Sequence, residues 1–544
     1  MVVETSTQRA QYIIRSEFPD VVIPEVTITE LVLGNAAKWG DKPALIDGPS
    51  GRTLSYTQLA GAIRRAAAGL AAHGFAKGDV LGIYSPNVPE YVIAFHAAAS
   101  LGGICTTVNP LYTVRELALQ LGDCGAKFLL TIPQFMDNAR AAVETVKSVR
   151  EIFVFGEAEG ATPFASLLTH GDQPPQVSID PHVDLLALPY SSGTTGLPKG
   201  VMLTHHNLVS EMAAIDGRPD IVFPDEHDVL LAFLPFFHIY GVVMFLTFGL
   251  WRGATIVSTP RFDLEQYLDM LQRYGVTYLH LVPPVVIALA KHPLVDKYDL
   301  SKAKWALSAA SPLGGPAADA FTARLGTKLF QAYGMTEVSG ATHAGSCLPG
   351  KMKPTSGGTL LPNTECVVID LETGQAVGRG KQGEVWVRGP LIMQGYLGQA
   401  GATAATIDED GWLHTGDVGY VDDDGDVFIV DRVKELIKYK GLQVAPAELE
   451  AILLGHPNVA DAAVIPSPDE EAGEVPKAFV VLRTPTSADE IMAFVAARVA
   501  PHKKIRKLQF IDAIPKSASG KILRRNLVEE ERARAVSRAT PASA

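Results

Sequence analysis

Apolar residues in the first part of the chain alternate between helical and extended spacing. Leu59, Ile63 and Leu70 fall on one face of a helix that we expect to end at Gly74, and the apolar run at 80–84 that follows predicts a strand. The same alternation predicts further helices at 91–100 and 114–121 and further strands at 104–108 and 128–132. Repeated alternation of this kind favours a largely parallel sheet that is covered by helices.

A second series of apolar runs begins near residue 185 and has the same character. It predicts strands at 185–188, 229–234, 255–258, 279–282 and 304–308. Together, the two series predict an α/β protein whose large N-terminal region contains two doubly wound α/β lobes.

The pattern changes after about residue 357, where short strands separated by turn residues replace the longer alternation. Runs at 384–389 and 427–430 predict a small β-rich subdomain. Beyond residue 431 the chain is typical of a compact α+β unit, in which Ser487 and Glu490 form a predicted capping box. We therefore expect an N-terminal domain at residues 1–431 and a small, mobile C-terminal domain at residues 432–544.

Composition and charge narrow the class of protein. The chain has 544 residues, and its net charge of -12 argues against a nucleic-acid partner. The most apolar segment, 242–251, is far shorter than the roughly twenty residues that cross a bilayer, so we expect a core element and no integral membrane segment. Neither a secretory signal nor a disulfide or zinc spacing of cysteines is present, which predicts a cytoplasmic protein.

The segment 191–200, with the sequence SSGTTGLPKG, is the strongest candidate for chemistry. Glycines let the backbone approach a ligand closely, hydroxyl and N–H groups can donate to phosphate oxygens, and Lys199 adds a cation. The spacing differs from that of a P-loop, because two residues separate Gly193 from Gly196 and Lys199 precedes Gly200. The pattern predicts a phosphate-binding loop of another architecture, although a solvated turn is a common alternative.

Further polar motifs follow this loop along the chain. They are PFFHIYG at 235–241, QAYGMTE at 331–337, TGD at 415–417, DR at 431–432, KYKG at 438–441 and PKSASGK at 515–521. In this order, the motifs resemble those of the acyl-adenylate-forming superfamily, which includes acyl-CoA synthetases, aryl-CoA ligases and luciferases. The resemblance covers nearly the whole chain. It implies that a carboxylic acid first forms an acyl-AMP from ATP with release of pyrophosphate, and is then transferred to CoA with release of AMP.

The resemblance implies roles for the residues of a nucleotide site. The loop would hold the β- and γ-phosphates of ATP, and Glu337 would be the ligand of Mg²⁺, which prefers oxygen ligands. Asp417 would bind the ribose hydroxyls beside Arg432, and Tyr333 would stack on adenine. The implied nucleotide-binding residues are Ser191, Ser192, Gly193, Thr194, Thr195, Gly196, Lys199, Ala310, Ser311, Gln331, Ala332, Tyr333, Gly334, Thr336, Asp417, Arg432 and Lys434.

The same resemblance implies that the C-terminal domain has two working faces. Lys521 would reach the α-phosphate and the acyl carboxylate during adenylation. Lys438 and Gln443 would face the site after the domain rotates about a hinge at 431–434, so that the thioester can form. The implied CoA-binding residues are Lys440 and Gly441.

His238 is the remaining residue with an implied catalytic role, in which it would orient the acyl carboxylate. Taken alone, a histidine in an aromatic run is more typical of a core, just as an isolated loop lysine such as Lys521 is usually solvated. The implied acyl-binding residues are His238, Ile239, Tyr240, Ser308, Ala309, Gly334 and Met335.

The nature of the acid is suggested by the segment 437–450, which resembles that of 4-coumarate:CoA ligases. Trp386 stands where the plant enzymes of that group have a cysteine. We expect 4-coumarate or a related aryl-propenoic acid, with ATP and CoA as co-substrates. A medium-chain fatty acid is the alternative, because an apolar tunnel beside 242–244 could hold an alkyl chain. A luciferase-like or carrier-loading adenylating enzyme would share the first half-reaction.

Overall fold

A computed structural model of the protein describes residues 9–191, 198–440, 442–469, 471–517 and 520–539, with side chains up to residue 531 in the last helix. It has the mixed α/β architecture with a small C-terminal unit that the sequence predicts. Within these ranges, each helix is too short or too polar to cross a membrane.

The first sheet is centred on Val80–Tyr84, which is buried at every position and pairs in parallel with Ile104–Val108 and Phe128–Thr131. Burial on both faces is typical of a parallel strand with helices on either side. In spatial order, the strands are Tyr190–Ser191, Lys199–Thr204, Leu185–Ala187, Ile104–Val108, Val80–Tyr84, Phe128–Thr131, Glu151–Val154 and Thr162–Pro163, and Gly395–Tyr396 pairs with Lys199–Thr204.

The second sheet is parallel in its middle and antiparallel at both edges. In spatial order, its strands are Thr359–Leu360, Gly340–Ala344, Lys328–Met335, Trp305–Ser308, Tyr278–Leu281, Val229–Ala232, Thr255–Ser258, Pro43–Asp47 and Thr53–Ser55. The carboxyl ends of its parallel strands meet at one edge, where open α/β sheets bind their ligands.

The predicted assignment of strands to the two lobes was wrong for Leu185–Ala187, and the strand Pro43–Asp47 was not predicted. Leu185–Ala187, which begins the second apolar series, pairs with Ile104–Val108 of the first sheet. Pro43–Asp47, which precedes the first series, pairs with Thr255–Ser258 of the second sheet. An apolar run predicts a strand but carries no information about which distant strand it pairs with.

Helices fill the space between and around these sheets. Pro89–Ser100 is buried almost all round and packs on Tyr56–Ala72 in a core that both sheets share. The other helices longer than one turn are Ile28–Leu33, Val114–Asp123, Met136–Thr145, His205–Asp216, Leu264–Tyr274, Pro283–Lys291, Gly315–Leu325, Ala400–Thr406, Pro446–Leu454, Ala488–Ala496 and Arg524–Ala539.

The most apolar segment is a core element, as predicted. It forms the π-helix Val242–Phe248 followed by the short helix Gly249–Trp251, and each residue of the π-helix is buried. Thr247 satisfies its hydroxyl inside this turn by donating to the Val243 carbonyl oxygen at 2.7 Å. π-Helical turns are frequently found at functional sites.

The third sheet is the small β-rich unit that the short strands predict. Its strands, in spatial order, are Ile14–Arg15, Glu365–Ile369, Gly383–Arg388, Leu413–Val421 and Val427–Arg432, and Ala376–Val377 pairs with Glu365–Ile369. The last of these strands ends at the predicted domain boundary, and the next strand along the chain belongs to a different sheet.

The C-terminal sheet contains Leu442–Val444, Ile437–Tyr439, Gly473–Leu482, Val459–Asp469 and Lys507–Phe510. It has its own apolar core together with helices Pro446–Leu454 and Ala488–Ala496. The predicted capping box at Ser487 is half formed: Ser487 accepts from the Glu490 amide at 3.2 Å, but the Glu490 carboxylate accepts from the Thr486 hydroxyl at 2.6 Å. The division into an N-terminal domain at residues 1–431 and a C-terminal domain at residues 432–544 stays a prediction.

Candidate active site

The predicted phosphate loop begins and ends on a β-hairpin. Tyr190–Ser191 pairs antiparallel with Lys199–Thr204, and Ser191 lies opposite Lys199. Ser192, Gly193, Thr194, Thr195 and Gly196 lie outside the described residues. The hairpin thus fixes the direction in which both ends of the loop leave the first sheet.

Lys199 and Glu337 are linked through Tyr396, a residue that no motif singled out. The Tyr396 hydroxyl donates to Glu337 Oε1 at 2.9 Å, and the Lys199 ammonium lies 4.5 Å from the centre of the Tyr396 ring. Tyr396 reaches this position because Gly395–Tyr396 pairs with Lys199–Thr204. Burial and the neighbouring Glu337 carboxylate raise the pKa of Tyr396, so the phenol stays a hydrogen-bond donor.

Asp417 is the centre of a second polar cluster. The Tyr333 hydroxyl donates to Asp417 Oδ2 at 2.8 Å, and Arg432 Nε lies 3.2 Å from Asp417 Oδ1. Asp417 and Arg432 are direct partners across neighbouring antiparallel strands, so the sheet itself brings them together. Burial raises the pKa of Asp417, while the Arg432 charge opposes that shift.

Close backbone packing shapes the slot beside Tyr333. A Cβ on Gly334 would lie 1.9 Å from the Gly340 carbonyl oxygen, so only glycine permits this approach of the two strands. Ala310, which the resemblance places at the same nucleotide site, has φ of 74°, a left-handed conformation that is rare for a residue with a side chain. Strained backbone of this kind is concentrated at functional sites.

Both polar atoms of the Gln331 side chain form hydrogen bonds with backbone groups. Its Oε1 accepts from the Leu313 amide at 2.9 Å, and its Nε2 donates to the Pro354 carbonyl oxygen at 2.6 Å. Gln331 therefore holds the turn that follows Ala310 and Ser311, and its own contact with nucleotide stays a prediction.

Lys521 extends from the C-terminal unit toward these clusters. Burial and the nearby Arg432 charge lower the pKa of Lys521 to about 8, against the opposing pull of Asp417, Glu435 and Glu337. The loop that carries Lys521 packs on the large region, since Gly520 lies against Pro284. One lysine of the small unit thus lies among the charged groups of the predicted nucleotide site.

His238 lies near the same amine. Its Nδ1 accepts from the Tyr240 amide at 3.2 Å and so caps the short helix Ile239–Gly241. Burial, helped by the Lys521 charge, lowers the pKa of His238 to about 4, so the ring is neutral near pH 7. With Nδ1 accepting, the proton of the neutral ring is on Nε2, which can donate to an anionic oxygen.

The wall expected to hold the acyl group contains buried polar atoms. The Tyr240 hydroxyl donates to the Leu307 carbonyl oxygen at 3.1 Å and lies 3.3 Å from His280 Nδ1. Ser308 is fully buried, and its hydroxyl has no hydrogen-bond partner among the described residues. The other predicted residues of these walls are the buried Ile239, the half-buried Ala309, Ser311, Ala332, Met335 and Thr336, and the exposed Gly334.

Lys438 and Gln443 lie elsewhere, on the surface of the C-terminal unit. They face each other across the hairpin formed by Ile437–Tyr439 and Leu442–Val444, and both are exposed. Lys440 forms an ion pair with Glu471. Gly441 lies outside the described residues, and Lys434 is exposed on the preceding segment. The small unit thus buries Lys521 near the large region and leaves the Lys438 hairpin exposed.

Comparison with known proteins shows the family of this chain. A family model described as AMP-binding enzyme matches residues 33–397, and one described as AMP-binding enzyme C-terminal domain matches residues 448–521. The chain belongs to the AMP-binding enzyme family. It is 44% identical over 95% of its length to 4-coumarate–CoA ligase 5 of Oryza sativa subsp. japonica, 97% of which is covered. The identity to 4-coumarate–CoA ligase 2 of Petroselinum crispum is also 44%, over 95% of this chain and 96% of that one.

Solved structures of AMP-binding enzymes superpose on the whole fold. The crystal structure of an anthranilate CoA ligase in complex with anthranoyl-AMP gives a TM-score of 0.87 at 26% identity, over 95% of this chain and 99% of that one. ATP-bound MatB from Rhodopseudomonas palustris gives 0.83 at 27% identity, over 93% and 99%. These similarities make the chain an ATP-dependent acid–thiol ligase that uses a carboxylic acid, ATP and CoA.

In this AMP-binding enzyme, the predicted hinge is held by a buried carboxylate. Asp431 Oδ1 accepts from the Arg432 amide at 2.7 Å, and Asp431 Oδ2 accepts from the Ala447 amide at 2.9 Å, in the first turn of Pro446–Leu454. Burial raises the pKa of Asp431. The segment between the two units is therefore anchored to the helix that follows it.

Trp386, the departure from the plant ligases, lies in the third sheet. Its ring stacks on that of His414, with centroids 3.6 Å apart, on the neighbouring strand. The substitution is thus accommodated by cross-strand aromatic packing.

Glu337 is the predicted metal ligand of the enzyme. Within the described ranges, the one group of three histidine or carboxylate side chains close enough to share an ion is Glu25, His182 and His206, at the surface. Glu337 is outside that group. A single carboxylate nevertheless fits Mg²⁺, which commonly takes one or two protein carboxylates together with substrate phosphates and water.

Proposed function

We propose that this protein converts 4-coumarate, or a closely related aryl-propenoic acid, into its CoA thioester through an acyl-AMP. The observation that carries the proposal is the meeting of Lys521 with Asp417, Arg432 and His238 between the two units. The relatives named 4-coumarate–CoA ligase, at 44% identity over 95% of the chain, support this choice of acid.

In the first half-reaction, a carboxylate oxygen attacks the α-phosphorus of ATP and pyrophosphate leaves. Both reactants are anions, so the site must offset their repulsion and align them. Protonated Lys521 would lie between the acyl carboxylate and the α-phosphate, and His238 Nε2–H would donate to the carboxylate. Asp417 and Arg432 would hold the ribose, so that the α-phosphate stays in line with the attacking oxygen.

Mg²⁺ belongs to this proposal, with Glu337 as its protein ligand. When bound, the ion would neutralise charge on the phosphates of ATP. Tyr396 would orient the Glu337 carboxylate by donating to Oε1, which leaves Oε2 for the ion. Lys199 would add positive charge on the far side of the Tyr396 ring.

In the second half-reaction, the CoA sulfur attacks the acyl carbonyl carbon and AMP leaves. The thiol needs access, so Lys521 must withdraw from its position beside the adenylate. Rotation about residues 431–434 would bring the exposed hairpin of Lys438 and Gln443 to the site in its place, with Lys440 and Gly441 toward CoA.

Buried polar atoms at the acyl wall favour a hydroxylated aryl acid over a fatty acid. An alkyl chain would leave the Ser308 hydroxyl and His280 Nε2 without hydrogen-bond partners, and burial of unpaired polar atoms is costly. Purified protein given ATP, Mg²⁺ and CoA should turn over 4-coumarate with a higher kcat/KM than octanoate. A clear preference for octanoate would overturn this choice of acid.

The cytoplasm is the proposed compartment. Cys105, Cys124, Cys347 and Cys366 are buried free thiols, which is compatible with a reducing environment. Fractionation of the producing cells should recover the activity with the cytoplasmic fraction, and recovery in an exported fraction would contradict the proposal.

A further inference from the structure

His280 is a buried histidine that belongs to none of the family motifs. It lies on Tyr278–Leu281 in the second sheet and is 1% exposed. Its ring meets those of Tyr240 and Phe245 edge to face, with centroids 5.7 and 5.3 Å away. Its Nδ1 is 3.3 Å from the Tyr240 hydroxyl oxygen, and its Nε2 has no hydrogen-bond partner among the described residues.

The protons in this cluster can be assigned by counting. A phenol carries one proton, and that of Tyr240 is donated to the Leu307 carbonyl oxygen at 3.1 Å. The contact between Tyr240 and His280 can then be a hydrogen bond only if His280 Nδ1 carries the proton. Burial lowers the pKa of His280 to about 3, so the ring has a single N–H. Nε2 then carries no proton and is an unpaired acceptor. Burying an unpaired acceptor costs less free energy than burying an unpaired N–H donor.

We propose that His280 is a positioning residue that fixes the direction of the Tyr240 hydroxyl proton. The inference rests on the proposed function, and it takes Tyr240, one of the implied acyl-binding residues, to contact the aryl ring at the end away from the carboxylate. Because the Tyr240 hydroxyl donates its proton to the Leu307 carbonyl oxygen, the Tyr240 oxygen can only accept a hydrogen bond from a substituent on the aryl ring of the acid. The preferred acids therefore carry a hydrogen-bond donor there, as in a phenol or an aniline.

The position of Tyr240 supports contact with the acyl group. It lies on the short helical turn that His238 caps, and it is half-buried rather than fully enclosed. A ring substituent without a donor would leave the Tyr240 oxygen facing a group that it cannot bond. Losing one hydrogen bond of this kind changes KM about tenfold, and kcat changes little because the contact is remote from the reacting carboxylate.

The test compares 4-coumarate, 4-fluorocinnamate and cinnamate in wild-type protein and in the variants His280→Leu, His280→Asn and Tyr240→Phe. Fluorine has no proton to donate, so wild-type protein should show at least a fivefold lower KM for 4-coumarate than for 4-fluorocinnamate. His280→Leu should bring the ratio of these KM values to within about twofold of unity, with kcat on cinnamate changed less than threefold. Asparagine can donate from Nδ2 where His280 Nδ1 lies, so His280→Asn should recover most of the preference.

A double-mutant cycle separates positioning from a general packing effect. Once Tyr240 has lost its hydroxyl, adding His280→Leu should leave the ratio of KM values unchanged. An equal rise in KM for all three acids, or an unchanged preference in His280→Leu, would overturn the role of His280. If wild-type protein makes no CoA thioester from any of these acids, the proposed function itself has failed. Melting temperatures show whether each variant is folded. If His280→Leu does not fold, His280→Asn decides the result: a retained preference for 4-coumarate over 4-fluorocinnamate supports the role of His280, and a lost preference overturns it.

Discussion

Replacing Lys521 with alanine removes the amine that the C-terminal loop brings near Asp417 and His238. In the proposed mechanism the Lys521 charge faces the α-phosphate only before the C-terminal unit rotates, so its loss should affect the two half-reactions unequally. Loss of a single preorganised group that stabilises transition-state charge costs about 10²–10³ in rate. We expect this loss in adenylation and less than a threefold change in thioester formation.

Two assays separate the half-reactions. Pyrophosphate exchange into ATP with 4-coumarate reports adenylation, and AMP release from supplied 4-coumaroyl-AMP and CoA reports thioester formation. Lys438→Ala is the matched control, because Lys438 is exposed and is proposed to reach the site only for thioester formation, so it should show the opposite bias. Equal losses in both assays for Lys521→Ala would refute the two-face mechanism.

The pH dependence supplies a second, independent measure of the same residue. The pKa of Lys521 is lowered from 10.5 to about 8, so the ammonium form dominates below pH 8 and is lost as pH rises through 8. Well above pH 8, kcat/KM for ATP in adenylation should fall about tenfold per pH unit, since this parameter reports the free enzyme. Arginine stays charged over this range, so in Lys521→Arg the fall in kcat/KM should begin only above pH 10. If the fall still began near pH 8, a group other than Lys521 would be responsible for it.

The remaining predictions concern groups around the same site. Asp417→Asn keeps the volume but loses the charge paired with Arg432, so KM for ATP should rise about tenfold, and discrimination against 2′-deoxy-ATP should shrink; retained discrimination would argue against ribose contact. Tyr396→Phe frees Glu337 Oε1, and the Mg²⁺ concentration for half-maximal activity should rise severalfold, whereas the control Tyr420→Phe, in the third sheet, should leave it unchanged. Glu211 is fully buried, and burial raises its pKa to about 8, so its contribution to stability declines as pH rises from its ordinary value of 4.5 through 8. Glu211→Gln should therefore flatten the fall in melting temperature between pH 6 and 8.5, and an unchanged slope would contradict the assignment.

The sequence alone determined the local elements and the chemistry of the family. Buried strands such as Val80–Tyr84 are continuous apolar runs, and the helix Tyr56–Ala72 has a regular apolar face, so spacing was enough to find them. The order of the polar motifs indicated adenylation because the required groups, such as Glu337 and Asp417, are each embedded in a distinctive short stretch.

Tertiary structure decided which of these elements and groups meet. The partners of Leu185–Ala187 and Pro43–Asp47 depend on sheet pairing across long stretches of chain, which no local pattern encodes. Tyr396 and His280 were missed for the same reason: each is unremarkable in its own segment and gains its role from a distant side chain, Glu337 for one and Tyr240 for the other. Hydrogen bonds act over about 3 Å in space irrespective of separation along the chain, and only the folded chain fixes those distances.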